Sequence, residues 1–364
     1  MASLTLDNVT KSYGRTRALS DVSLAVDDGE FFVILGPSGA GKTTTLKSVA
    51  GLEPIDAGTV HIGGTDMAGV EPYRRNVAMA FESYALYPQR TVYDNLASPL
   101  RSGRTGTYSK AQQDRRITEV TDTLGIGHLL QRFPRELSNG QRQRVALGRV
   151  LVRPAGAYLL DEPLSHLDAK LRAAMRAELK QLGAMSSTTT LYVTHDYQEA
   201  LALGDRIAVL RAGRVVQVGT PERIWARPVD TFVARVLGQP EMLLLPATVD
   251  SGRIRTADGA FDAAAPDGLD RGDVVLGIRP RALTLGERET AVTVRGTVRL
   301  AERLGRVIEL TVHSGDTDLV AVVASADAPA EDSDVTLSVR PDEVHVFVDD
   351  LRWGSVAGKE DRDA

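Results

Sequence analysis

Residues 36–43 read GPSGAGKT, a glycine-rich turn closed by Lys and Thr in the spacing G-x-x-x-x-G-K-T. The backbone N–H groups of such a turn can close around phosphate oxygens at the positive end of a following helix. Gly36, Pro37, Ser38, Gly39, Ala40, Gly41, Lys42, Thr43 and Thr44 are therefore the candidate nucleotide-binding residues. Lys42 would reach the β- and γ-phosphates, and Thr43 would offer its hydroxyl to Mg²⁺. A second charged pair, Asp161 and Glu162, closes the apolar run AYLLDE at 157–162. Beside a phosphate loop, at the end of a buried strand, Asp161 would support Mg²⁺ and Glu162 would polarise an attacking water.

Such residues must be carried by strands that end at one edge of a sheet. The run FFVILG (31–36) is short, apolar and stopped by glycine, as a buried strand is. A helix over Lys42–Ala50 should follow, stopped by Gly51. TVHIGG (59–64), VAMAFE (77–82), AYLLDE and TTTLYVTH (188–195) read as further strands. Helices are expected over 168–185 and Tyr197–Leu203, and residues 92–152 read as mostly helical, with a glycine-rich break at 101–107 and a cap at Ser109. This alternation predicts an α/β unit with a parallel sheet over residues 1–240. From 241 the pattern becomes short strand-like runs between Asp, Gly and Pro: MLLLPATV, RIRTA, DVVLGI, AVTVRGTVRL, RVIELTV, DLVAVV, DVTLSV and EVHVFV. They predict a small all-β unit over 241–353, followed by a disordered tail at 354–364.

A chain of 364 residues is long enough for two domains, and 43% apolar with 25% charged residues is the balance of a globular protein. That composition excludes collagen-like repeats and a wholly disordered chain. The absence of Cys excludes disulfides and thiolate metal sites. No apolar run reaches the roughly 18 residues that cross a bilayer, and the first residues lack a signal-peptide core, so the chain is expected in the cytosol. Residues 1–240 carry 29 basic against 24 acidic side chains (+5), and residues 241–364 carry 14 against 24 (−10). A change of sign at one point marks two units with different surroundings. No dense basic run points to nucleic acid.

Further along the chain, LSNGQRQRVALGR (137–149) resembles the LSGGQ signature of ABC-transporter ATPases, and residues 1–240 resemble that ATPase domain along their length. The resemblance implies ATP and Mg²⁺ as cofactors, with Ser138, Asn139, Gly140 and Gln141 meeting the nucleotide of a facing subunit. It places Asp168 in the D-loop (SHLD, 165–168), His195 as the switch histidine in YVTHD, and Tyr13 as the aromatic that stacks on adenine. ESYALYPQRTVYDNLASPL (82–100) resembles the Q-loop region of sugar-type importer ATPases, where a membrane subunit docks. Glu82 stands in the Q-loop, as a further ligand of Mg²⁺, and Tyr84, Leu86, Tyr87 and Pro88 supply an apolar docking group. GIRPRALTL (277–285) and SVRPDEVHVFVDD (338–350) resemble the C-terminal, OB-like regulatory domain of maltose-type ATPases.

Two positions depart from the family pattern: Glu82 replaces the Q-loop glutamine, and Asn139 the first glycine of the signature. Without metal, a carboxylate about 5 Å from a phosphate charge costs on the order of 3 kcal/mol at an effective dielectric near 20. Glu82 is therefore expected to alter Mg²⁺ dependence. Asn139 is expected to be milder, because Asn tolerates left-handed backbone. The resemblance implies an importer of a sugar, polyol or related solute. Its partners would be a second ATPase subunit, identical or different, two transmembrane permeases docking near residues 82–95, and, indirectly, an extracytoplasmic solute-binding protein. The chain would sit at the cytoplasmic face of the membrane through the permeases. Two other readings stay open: a weakly hydrolysing partner that regulates a more active ATPase, and a soluble ABC ATPase without a transport role.

Overall fold

The computed structural model describes residues 2–81, 83–101, 108–165, 167–186, 188–289 and 291–359. The chain divides into two compact units, Met1–Glu222 and Arg223–Ala364. The elements of the first, in chain order, are β1 (Leu4–Tyr13), β2 (Thr16–Val26), β3 (Phe31–Leu35), α1 (Lys42–Ala50), β4 (Ala57–Ile62), β5 (Thr65–Asp66), β6 (Val77–Ala80), α2 (Val92–Arg101), α3 (Lys110–Thr123), α4 (Asn139–Leu151), β7 (Ala157–Asp161), α5 (Ala169–Ser186), β8 (Thr189–Thr194), α6 (Tyr197–Leu203), β9 (Arg206–Arg211) and β10 (Arg214–Gly219).

Six strands form the sheet that carries the site, in the order β10-β9-β3-β8-β7-β6. All neighbours are parallel except β9 and β10. β3, β7 and β8 are buried at every residue, because helices cover both faces of a parallel sheet. A second, antiparallel sheet runs β2-β1-β4-β5. Its apolar side shares one core with β3 and α1 through Leu4, Leu6, Leu19, Val22, Phe32 and Leu46. Residues 21–26 of β2 alternate as a strand should, whereas periodicity does not announce β1 along its length. In β1 the alternation breaks after Asp7, where Asn8 takes φ 50° and the pairing register shifts. Such a bulge hides a strand from a period-of-two test.

The helical stretch is α2, α3 and α4. Ser109 caps α3, its hydroxyl accepting from Gln112 N while the Gln112 side chain accepts from Ser109 N. Of the glycine-rich break, residues 102–107 lie outside the described residues.

In the second unit the strands are β11 (Leu243–Asp250), β12 (Arg253–Thr256), β13 (Asp262–Ala264), β14 (Gly272–Ile278), β15 (Thr284–Leu285), β16 (Val292–Leu304), β17 (Val307–Ser314), β18 (Thr317–Ala324), β19 (Asp334–Val339), β20 (Val344–Val348), β21 (Leu351–Ser355) and β22 (Gly358–Lys359). They form two antiparallel sheets, β13-β12-β11-β14-β20-β21-β22 and β15-β19-β16-β17-β18, around a core that includes Ile254, Phe261, Leu276, Leu310 and Val346. All eight runs expected as strands are strands. The residues expected as a tail from 354 continue in β21 and β22 as far as Lys359, and 360–364 lie outside the described residues.

The units part at 222/223, upstream of the 240 expected from charge and pattern. Residues 223–240 belong with the β sheets for a physical reason. Arg279, buried, donates to the carbonyls of Trp225 and Leu237 and lies 3.7 Å from the Trp225 ring centroid. Asp230 caps the helix Thr231–Val236 by accepting from Val233 N, and Thr231 N donates to Asp350 O.

Candidate functional site

β3, β8 and β7 are consecutive in the sheet and parallel, so their C-terminal ends align. The loops after them are residues 36–41, 195–196 and 162–168. The first is held tight by its glycines. A Cβ on Gly36 would lie 2.4 Å from Leu210 O, and one on Gly41, at φ 105°, would lie 2.6 Å from Ala18 O. These close backbone approaches therefore exclude any side chain at the two positions. Lys42, 5% exposed, turns back across the loop and donates to Gly36 O at 2.9 Å and Pro37 O at 3.1 Å. Thr43 Oγ1 donates to Asp161 Oδ1 at 3.0 Å. Loop and strand end are thus joined at the two residues that the motif pairs for a metal.

Glu162 stands next to this pair. Its carboxylate lies 3.3 Å from Lys42 Nζ on one side and 2.7 Å from His195 Nδ1 on the other. The backbone of Glu162 is left-handed, at φ 44°, and its N–H donates to Val193 O. A left-handed glutamate costs on the order of 1 kcal/mol and persists only where the surroundings hold it, a pattern that clusters at functional sites. No sequence signal announces this backbone state. His195 is half exposed, so its imidazole remains accessible from solvent.

Behind His195 lies a buried carboxylate that periodicity does not reveal. Glu199 Oε2 accepts from the Tyr192 hydroxyl at 2.8 Å and from Thr194 Oγ1 at 2.7 Å. Burial pushes the Glu199 carboxyl above its usual range, and the two hydroxyls bring it part of the way back. Burial, reinforced by Glu199, pushes the Tyr192 phenol well up.

The other expected residues are placed as follows. Tyr13 ends β1 with its ring exposed, and Lys11 Nζ lies 5.2 Å from the ring centroid. Ser138 caps α4 in a capping box with Gln141. Asn139 is the first residue of α4, so the expected tolerance for left-handed backbone has no part here. The position is right-handed helix, which Asn adopts freely. Gly140 faces Leu167 and Leu171, which a Cβ would approach to 3.2 and 3.1 Å. Asp168 Oδ1 accepts from Leu171 N in the first turn of α5. The amide of buried Gln143, missed by motif reading, donates to Pro163 O beside Glu162, joining α4 to the loop after β7. Its signal was a polar residue on the apolar face of a helix.

Glu82 lies outside the described residues. Around it, Asn95 accepts from Tyr87 N and donates to Tyr87 O, Arg90 O and Thr91 O, and Arg149 donates to Ala85 O. The exposed Tyr87 ring lies between Arg149 and Arg90, 4.7 and 5.3 Å from its centroid. A groove of about 180 Å³ opens beside it, lined by Met79, Phe81, Tyr84, Pro99 and Arg149 among others.

Comparison with known proteins decides the family. The chain is 43% identical over 350 residues to the sn-glycerol-3-phosphate import ATP-binding protein UgpC 3 of Rhizobium etli, covering 95% of this chain and 97% of that one. This chain belongs to the ABC-transporter ATP-binding proteins. It is also 42% identical over 372 residues to the trehalose/maltose import ATP-binding protein MalK of Thermococcus litoralis, covering 95% of this chain and 98% of that one. The ABC transporter model matches residues 19–165 and the TOBE domain model residues 276–347. Among solved structures, the dimeric ATP-binding cassette MJ0796 bound to ADP and Pi matches with TM-score 0.56 and 30% identity, covering 60% of this chain and 98% of that one. The chain is an ABC-type ATPase with a nucleotide-binding cassette followed by a TOBE domain. Among the described residues no helix is long and apolar enough to cross a membrane.

Proposed function

We propose that this ABC ATPase hydrolyses ATP to drive a binding-protein-dependent importer of a sugar, polyol or related solute. The observation that carries the chemistry is Glu162, set between Lys42 at 3.3 Å and His195 at 2.7 Å at the aligned ends of β7, β3 and β8. Lys42, released toward phosphate from the Gly36 and Pro37 carbonyls, binds the β- and γ-phosphates. Glu162 orients the attacking water and draws its proton. His195 holds the Glu162 carboxylate in place and faces the γ-phosphate with its other ring nitrogen. Tyr13 offers a stacking face to adenine. Ser138, Gly140 and Gln141 sit at a helix N-terminus suited to the γ-phosphate of a facing subunit.

The Thr43 hydroxyl and Asp161 carboxylate, 3.0 Å apart, are the hard oxygen donors that Mg²⁺ prefers. Among the described residues no cluster of three or more His, Asp or Glu side chains could hold an ion alone, and Mg²⁺ typically takes one or two protein oxygens plus substrate phosphates. Bound there, Mg²⁺ would neutralise charge on the β- and γ-phosphates. Glu82 is assigned to the same metal on the family resemblance alone.

The solute class rests on the names of relatives that align from end to end with the chain. The groove beside Tyr87 is the docking place for a permease, which would hold the chain at the membrane. Copurification of the tagged full chain from its native membrane tests this. Two permease proteins and a second ATPase subunit are the expected companions. ATP hydrolysis should rise when the assembly, in vesicles, meets a solute-loaded binding protein. Recovery with ribosomes or chromosomal DNA instead of permeases would overturn the importer reading.

A further inference from the structure

We infer that Arg172, on the second turn of α5, is a positioning residue that sets the spacing between Glu162 and His195. The inference rests on the roles assigned to those two residues above. Arg172 reaches both loops at once. On one side its Nη2 donates to Leu167 O at 3.0 Å and to Ser165 O at 3.4 Å. Ser165 in turn wraps the Glu162 carbonyl, with its N–H at 3.2 Å and its Oγ at 3.0 Å. On the other side Arg172 Nη1 lies 3.5 Å from Asp196 Oδ2, and its buried Nε lies 4.0 Å from Glu199 Oε1.

Asp196 and Glu199 bracket the histidine. Thr194 Oγ1 donates to Glu199 and accepts from Asp196 N at 3.0 Å, so the residues before and after His195 share one hydroxyl. Asp196 Oδ1 also accepts from Gln198 N and Glu199 N, fixing the start of α6. The contacts therefore close a ring. It runs from Glu162 through Ser165 to Arg172, on through Asp196 and Glu199 to Thr194 and His195, and back to Glu162 through the 2.7 Å contact at the front.

A guanidinium suits this place and an ammonium does not. The fork presents donors in fixed directions, toward carbonyls on one side and carboxylates on the other, where a Lys has one point charge on a flexible stem. Two carboxylates, one of them 2% exposed, face this cation. Cutting the ring at Arg172 spares the bonds of Lys42 to Gly36 and Pro37 and of Thr43 to Asp161, and only the contact of Lys42 with Glu162 meets the ring. The change falls on the alignment of Glu162 and His195, where small displacements cost rate far more than affinity.

The test is a double-mutant cycle on the full chain with Arg172→Ala and His195→Ala, plus Arg172→Lys as the milder replacement. Hydrolysis is followed by release of radiolabelled phosphate, which measures the slow rate of the His195→Ala chain. Expected for Arg172→Ala are a kcat lowered about 10-fold or more and a KM within about 2-fold of wild type. Arg172→Lys should keep the fold and recover only part of the rate. In the His195→Ala background, Arg172→Ala should add less than about a 2-fold loss, because it acts through the same imidazole. Losses that multiply would overturn the inference, as would an unchanged kcat in both Arg172 variants. If His195→Ala alone hydrolyses at the wild-type rate, the assignment of the site falls, and this inference with it.

Discussion

Two carboxylates, Glu162 in the cassette and Asp258 in the TOBE-containing unit, both sit in turns after strands, and their surroundings have opposite character. Asp258 accepts from Thr256 Oγ1, Ala260 N, Asp316 N and Thr317 Oγ1, so its oxygens are occupied by neutral donors of two hairpin turns. Gly315 has no room for a side chain against it, since a Cβ there would lie 2.7 Å from the Asp258 Cβ. Glu162 faces an ammonium and an imidazole, groups that can exchange this partner for a phosphate or a water, and it holds a strained backbone to do so. A carboxylate saturated by backbone and hydroxyl donors fastens turns together, whereas one opposed by movable side chains is available for chemistry.

The largest effect that would sharpen this contrast is Glu162→Gln. The amide keeps the shape and removes the proton acceptor, so kcat should fall about 10²–10⁴-fold, with ATP still bound. Steady-state hydrolysis and equilibrium nucleotide titration measure the two quantities. A variant that turns over at the wild-type rate would remove Glu162 from the chemistry. Thermal stability should change little, since Glu162 has no set of backbone donors to lose.

Asp258→Ala should do the reverse, sparing the site and loosening the second unit. Its four donors would exchange a carboxylate for water at this partly exposed place, at a cost of about 1–2 kcal/mol. The molecule supplies a selective probe. Both Trp residues, Trp225 and Trp353, lie in Arg223–Ala364, so tryptophan fluorescence reports on that unit alone. Urea unfolding followed by this signal should shift to lower midpoint in Asp258→Ala, while kcat for ATP stays within about 2-fold of wild type. An unshifted midpoint would make the turn indifferent to its carboxylate.

The same contrast explains what was legible in the chain. Lys42, Thr43, Asp161 and Glu162 could be read because each stands at a strand end or in a loop whose spacing is local. The helix limits at Lys42 and Gly51 were likewise local, set by a left-handed glycine at either end. What could not be read are contacts between distant residues. Arg172 meets Asp196 and Glu199 across a helix and a strand. Arg279 meets Trp225 and Leu237 across four strands and draws the unit boundary back to 222. Asp258 meets Thr317 only after two hairpins have closed. β1 was hidden by the bulge at Asn8, where geometry and not composition breaks the pattern.

The smallest expected effect concerns acid. In the folded chain, burial would raise the Asp258 carboxyl. The Thr256 hydroxyl, Ala260 N–H, Thr317 hydroxyl and Asp316 N–H outweigh it and bring the group to about 2, against 3.8 for a free Asp. A folded pKa below the unfolded one means that the carboxylate stabilises fully above the unfolded value, and that this contribution is lost as pH falls through the window from about 4 to about 2. The group is partly exposed, so solvent screens it and the effect stays modest. Asp258→Asn provides the control, because its amide cannot titrate while every other acidic group responds as in wild type. Urea midpoints from tryptophan fluorescence should therefore differ between the two chains by a constant amount from about pH 7 down to about pH 5. The difference should then narrow as the pH approaches about 2, where the wild-type Asp258 is itself about half protonated in the folded chain. A gap that stays the same width throughout would show that the Asp258 charge adds nothing to the hold of its turn, and would leave only the shape of the side chain to separate it from Glu162.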